Sequence, residues 1–210
     1  VVKIAISGKA RSGKDTVADL ILSSFTDKYM AKHLADDPKD SKFPLPITSK
    51  FAFADPIKRI VQQMFPQTPD EILWGPSENR SKIIPGTEIT YRQLLLDIGK
   101  FGRSYNPYIW VNSTVDEAEM WLNEWTPDTA LAVISDVRFK NEYYRLKSED
   151  YFLIRVRRPT NNYAAEQPKH SQDVSEIDLD DLTDSDFDHV IINDGSLEEL
   201  ETKVWNVPLL

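Results

Sequence analysis

Residues 3–16, KIAISGKARSGKDT, decide the fold. Lys3 to Ser7 is a short apolar run of strand type. Asp15 to Phe25 carries Val17, Leu20, Ile21 and Phe25 on one face at helical spacing. Between them, Gly8, Gly13 and Lys14 fall at the spacing G-x-x-x-x-G-K. Strand, glycine loop and helix in that order open a βαβ unit, the building block of a parallel sheet. The same pattern carries a chemistry. Glycines let the backbone wrap around phosphate oxygens, the helix N-terminus adds a positive dipole end, and the Lys14 ammonium reaches the β- and γ-phosphates of a nucleotide. Lys9, Arg11 and Ser12 lie in the same loop, the first two adding positive charge. A glycine turn can also precede a helix with no ligand at all, and a regulator that binds a nucleotide without turning it over has the same loop. One departure is that Asp15 follows the lysine, where Ser or Thr usually ligates magnesium, and Thr16 comes next. Asp15 and Thr16 are therefore candidates to hold Mg2+ through water, with Asp136 as a further acceptor from the hydration shell.

Outward from this loop, Thr26 to Lys50 is polar, holds Pro38, Pro44 and Pro46, and reads as a long loop. KFAFA (50–54) reads as a strand. Asp55 then reads as an N-cap with Pro56 at the first helical position, opening a helix to Met64 or Phe65. Pro66 to Thr87 reads as irregular. Thr90 caps a helix through Leu94, Leu95 and Ile98 that weakens at Gly99, and a further helix is expected from Trp110 to Trp121. ALAVIS (130–135) is the most apolar run and predicts a parallel strand buried on both faces. YFLIRV (151–156) and HVIIN (189–193) are two more strands. Residues 157–169 and the acidic segment after them read as mobile. Asn193-Asp194-Gly195 makes a turn, and Ser196 with Glu199 makes a capping box for a terminal helix. The alternation predicts one three-layer α/β domain over residues 1–210 with a central parallel sheet.

Composition sets the bounds. The chain has 210 residues, 40% hydrophobic and 28% charged, enough for a sizeable core in an ordinary soluble domain. A net charge of -9 argues against binding a nucleic-acid polymer, which needs a cationic face, but leaves room for a nucleotide in a small cationic cleft. The absence of cysteine fits a reducing cytoplasm. No signal peptide and no apolar run of about 20 residues is present, so no membrane association is expected.

Four segments together resemble the deoxynucleoside monophosphate kinases of tailed phages: ISGKARSGKDTVADLI (6–21), FADPIK (53–58), ISDVRFKNE (134–142) and VIINDGSLEEL (190–200). The displaced threonine is similar to the GKGT pattern of adenylate-kinase-like enzymes. The resemblance implies a P-loop nucleoside-monophosphate-kinase-like fold with inserted segments, an acceptor-binding region at about 55–110 and a lid at about 157–187. It implies that Gly8 to Thr16 hold the ATP phosphates with Mg2+, and that Ile57, Lys58, Arg80, Arg92, Gly99, Arg103 and Trp110 face a deoxynucleoside monophosphate. Asp136 and Arg138, after the apolar strand, are implied to act with Lys14 at the transferring phosphoryl group, and residues 193–196 to border the adenine. A homodimer in a host cytoplasm is also implied.

The bland readings stand beside these. Lys58 fits a solvated helix lysine, each arginine a surface charge, and Trp110 a buried core residue. Asp136 and Arg138 fit a strand-end ion pair. Arg155, Arg157 and Arg158 fit lid arginines that close on the γ-phosphate. They fit equally a basic strand edge balancing the eleven Asp and Glu between residues 170 and 200. Leu96 and Lys100 stand where the family often has Gln and Thr, and Asp173-Val174-Ser175-Glu176 where it often has H-x-S-E. These departures bear on the acceptor and lid, not on the reaction class. Kinases for other phosphorylated acceptors, of the phosphomevalonate or dephospho-coenzyme A type, and a non-catalytic ATP sensor share the loop.

Overall fold

The computed structural model describes residues 1–36, 44–126, 129–159 and 177–208. Two compact units divide the chain. One comprises Val1–Ala52 with Glu117–Leu210, and the other Phe53–Asp116.

The first unit is built on five parallel strands flanked by helices. These are β1 (Val2–Ser7), β2 (Ile47–Phe51), β3 (Ala130–Val137), β4 (Phe152–Arg157) and β5 (His189–Ile192), in the order β2-β3-β1-β4-β5. β1 pairs with β3 on one edge, Ile4 opposite Val133, and with β4 on the other, Ile4 opposite Phe152. A strand paired on both edges inside a parallel sheet should be apolar on both faces, and Ile4, Ala5 and Ile6 are fully buried. Helix α1 (Lys14–Asp36) lays Val17, Ile21 and Phe25 into this core beside Leu131, Val133 and Ile154.

Several element boundaries depart from the sequence expectation, each for a local reason. α1 runs 11 residues beyond Phe25 because its i, i+4 face continues through Tyr29 and His33, whose rings stack at 4.0 Å. The span expected to be a loop from Thr26 to Lys50 therefore holds helix to Asp36 and, from Ile47, the strand β2. β2 was expected at Lys50 to Ala54. It lies earlier because Thr48, Ser49 and Lys50 pair with Leu131, Ala132 and Val133 at a sheet edge, where polar side chains face water without penalty. β3 extends to Val137, which takes Asp136 into the strand. Helix α6 (Lys140–Ser148) was not foreseen, since its apolar face is little more than Tyr143 and Leu146. The terminal helix α7 (Leu197–Trp205) begins as expected. Ser196 Oγ accepts from the Glu199 N–H at 3.2 Å, and the Glu199 carboxylate accepts from the Ser196 N–H at 2.8 Å. The lid expected near 157–187 falls largely outside the described residues, as do Asp173 to Glu176.

The second unit holds α2 (Asp55–Met64), a short α3 (Asp70–Leu73), a 3-10 turn (Ser77–Ser81) and α4 (Tyr91–Tyr105). α5 (Ile109–Leu122) starts in this unit. Asp55 is the first helical residue of α2, not its cap; Ala54 precedes the helix, and the Asp55 carboxylate accepts from Lys58 Nζ at 2.8 Å. The stretch expected to be irregular acquires order from a core of Val61, Ile72, Leu73, Ile84 and Tyr91. α4 does not weaken at Gly99. Trp110 donates its indole N–H to the Gly99 carbonyl at 3.0 Å, and its ring lies where a Cβ on Gly102 would stand. Glycine there permits a close helix–indole approach.

Gly102→Ala should therefore destabilise this unit by about 1–3 kcal/mol through overpacking. Urea unfolding followed by Trp fluorescence checks this, and a variant as stable as the wild type would show that the ring can move aside.

Candidate functional site

The carboxyl ends of β1 and β3 are level, and β4 runs two residues further, to Arg157. Ser7, the last residue of β1, lies opposite Val137 of β3 and Arg155 of β4. The glycine loop that follows thus leaves the sheet where open parallel α/β folds place ligands. Arg11 (φ 63°) and Gly13 (φ 91°) both take the left-handed conformation, closing the loop so that Ser12 N–H donates to the Lys9 carbonyl at 3.1 Å. Successive turns of this kind point backbone N–H groups into one concavity, and the first turn of α1 adds N–H groups that have no partner within the helix. A side chain at Gly8 would meet Ser12 Oγ and the Val156 carbonyl, the latter at 2.9 Å. Gly13 is excluded from substitution twice, by its φ and by Asn193 Nδ2 lying where its Cβ would be.

Two buried polar groups in this loop suit an anion. Lys14 is 6% exposed and Ser12 4%, and the Ser12 hydroxyl is buried with no hydrogen-bond partner. An unsatisfied buried hydroxyl costs about 1–3 kcal/mol, which a phosphate oxygen would offset. Asp15 and Thr16 are exposed at the start of α1. Among the described residues, no cluster of three or more His, Cys, Asp or Glu could cage a metal. Magnesium on a nucleotide needs no such cage, being held by phosphates, water and one or two carboxylates, so Asp15, Thr16 and Asp136 fit that use.

Beyond β3, Asp136 and Arg138 are half-buried. The backbone N–H groups of Arg138 and Phe139 both donate to Glu142, at 2.7 and 2.9 Å. This buried carboxylate fixes the loop that carries Arg138. Burial, and then the negative charge of Asp136, push its pKa up to about 8, against the pull of those two N–H groups. Sequence reasoning gave Glu142 no role. Phe139 has no side-chain acceptor, so the spacing to Glu142 does not read as a capping box in the sequence.

Lys9 of the loop and several cations elsewhere in the first unit are engaged by the described part of the chain's own acidic segment, 177–188. Lys9 pairs with Asp180 at 2.7 Å, and Lys140 with Asp181, which raises the lysine's pKa and lowers the carboxyl's. Arg155 donates to the carbonyls of Leu182 (2.7 Å) and Leu179 (2.9 Å) and lies over the Phe187 ring; Arg157 pairs with Asp184 at 2.6 Å. The described part of the acidic segment is thus tied to the sheet, where mobility was expected. Arg158 is exposed. An open cavity of about 530 Å³ lies at the turn after β5, lined by Asp194, Gly195, Glu199, Thr202 and Lys203.

In the second unit, Ile57, Gly99, Arg103 and Trp110 come together. The Cβ position of Gly99 is 3.4 Å from Ile57 Cδ1 and 3.3 Å from the Arg103 guanidinium. Lys58 is paired with Asp55. Arg80, within the Ser77–Ser81 turn, donates to the carbonyls of Leu73 and Gly75, and Arg92 donates to that of Ser77 at 2.7 Å.

Neither models of known protein families nor curated proteins yield a match to this chain.

The raised Glu142 pKa makes a pH prediction. The folded protein keeps a proton that the unfolded chain releases above about pH 4.5. Its contribution to stability is therefore fully present below that pH and is lost as the pH rises toward about 8. Urea unfolding across this range should show a larger fall for the wild type than for Glu142→Gln. Equal slopes would show that the carboxyl is ionised in the fold.

Proposed function

We propose that this chain is an ATP-dependent nucleoside monophosphate kinase acting on deoxynucleotides, with the three-layer architecture of P-loop kinases. The observation that carries the reading is the glycine loop at the end of β1, with its two left-handed residues, buried Lys14 and unpartnered Ser12 hydroxyl. A loop of this shape has a use for a polyphosphate and is costly without one. The acceptor assignment rests on the family resemblance, and on the grouping of Ile57, Gly99, Arg103 and Trp110 in the second unit.

In this reading the bond between the γ-phosphorus and its bridging oxygen breaks. A new bond forms from an oxygen of the acceptor phosphate, and ADP leaves with the electron pair. Phosphoryl transfer passes through a loose in-line transition state, so the protein's task is to position and neutralise two polyanions. Lys14 and the loop N–H groups take the β- and γ-phosphates. Arg138, on a loop held by Glu142, approaches the transferring group. Lys58, Arg80 and Arg92 take the acceptor phosphate. That phosphate is already close to a dianion near neutral pH and needs no general base. Mg2+, held through Asp15, Thr16 or Asp136, would supply further charge neutralisation.

The test is incubation with ATP, Mg2+ and each deoxy- and ribonucleoside monophosphate in turn, following diphosphate formation. At least one deoxynucleotide should be phosphorylated, and Lys14→Ala should lower turnover by on the order of 10²–10³-fold with the fold intact. Turnover of none, with ATP bound, would pass the assignment to another phosphorylated acceptor or to a sensor.

A further inference from the structure

Asn193 lies 180 residues from Gly13 in sequence, yet its side chain meets the glycine loop directly. Its Nδ2 donates to the Ser12 carbonyl at 2.9 Å and occupies the space a Cβ on Gly13 would need. The residue is 8% exposed, and its own backbone N–H is held by the Arg157 carbonyl at 2.7 Å. The end of β4, the turn after β5 and the glycine loop are therefore joined through one amide. The atom facing the Ser12 carbonyl must be a donor, which fixes the orientation of that amide. The Ser12 carbonyl is held toward Asn193, and the N–H of the same peptide, that of Gly13, points the opposite way because the peptide is planar and trans.

We infer that Asn193 is a positioning residue for the donor site: it orients the Ser12–Gly13 peptide so that the Gly13 N–H is presented to a bound polyphosphate. The inference rests on the proposed donor site and names a residue, distant in sequence, on which its affinity depends. Asn193→Asp is nearly isosteric but sets a carboxylate against the Ser12 carbonyl and cannot donate. The peptide then loses the constraint that turns it.

The experiment is calorimetric titration of wild type and Asn193→Asp with ATP and Mg2+, alongside thermal unfolding and KM values for ATP and for the acceptor. We expect binding about 10- to 100-fold weaker in the variant, a matching rise in the ATP KM, and an unchanged acceptor KM. Equal affinities in the two proteins would overturn the inference while leaving the donor site standing. Parallel rises in both KM values with a lowered unfolding temperature would also overturn it, since the residue would then serve only the fold. A wild type that binds no ATP would remove the donor site itself. Should Asn193→Asp fail to fold, the side-chain amide signal of Asn193 in 15N NMR of the wild type decides. It should move on addition of inorganic tripolyphosphate, and a signal that stays put contradicts the inference.

Discussion

β1 is hydrogen-bonded on both edges, and the organisation of the first unit depends on that double pairing. With β3 on one side and β4 on the other, the strand must be apolar on both faces, and it ends level with β3. Its last residue then delivers Gly8 to the one edge of the sheet where Val137, Arg138 and Arg155 also arrive. The chain's path across the sheet reverses around β1, moving to β2 and back before crossing to β4 and β5. Parallel α/β sheets open a crevice at such a point. The glycine loop follows from this position as much as from its own sequence. Gly8 must be small because the Val156 carbonyl of β4's strand-end stands against it, and Gly13 because Asn193 does.

A chain with 25 Lys and Arg against 34 Asp and Glu supplies internal carboxylates to cations near its glycine loop and strand ends. Lys9, Lys140 and Arg157 meet Asp180, Asp181 and Asp184, while Arg155 is absorbed by backbone carbonyls. Exposed pairs of this kind contribute about 0–1 kcal/mol each, little enough for a polyphosphate to compete for Lys9. The buried Ser12 hydroxyl is different in kind, since it has no hydrogen-bond partner and water does not reach it.

What could be read in advance follows the range of the interactions. The strand–loop–helix of residues 3–25, the box of Ser196 and Glu199 and the Thr90 cap are local, and their residues declare them. β2 is an edge strand whose polar residues are explained only by pairing with β3, so its position was misread. The second half of α1 shows itself once Tyr29 and His33 are seen to extend the Val17–Ile21–Phe25 face. Gly99 reads in the sequence as weakening the helix, but Trp110, beyond the end of α4, makes it and Gly102 packing positions. The same holds for the site. Gly8, Gly13 and Lys14 are legible from spacing alone. Glu142 becomes meaningful only when the end of β3 folds back on it, and Asn193 only when the last strand is laid two places from the first.

The central claim is that the loop from Gly8 to Thr16 is a polyphosphate cradle. Backbone amide NMR during titration with ATP and Mg2+ addresses it most directly. The account predicts saturable shifts concentrated in the amides of residues 12–16, with smaller ones reaching Arg138 and Asn193. Saturable binding that leaves those loop amides unmoved, or no binding at all, would contradict it.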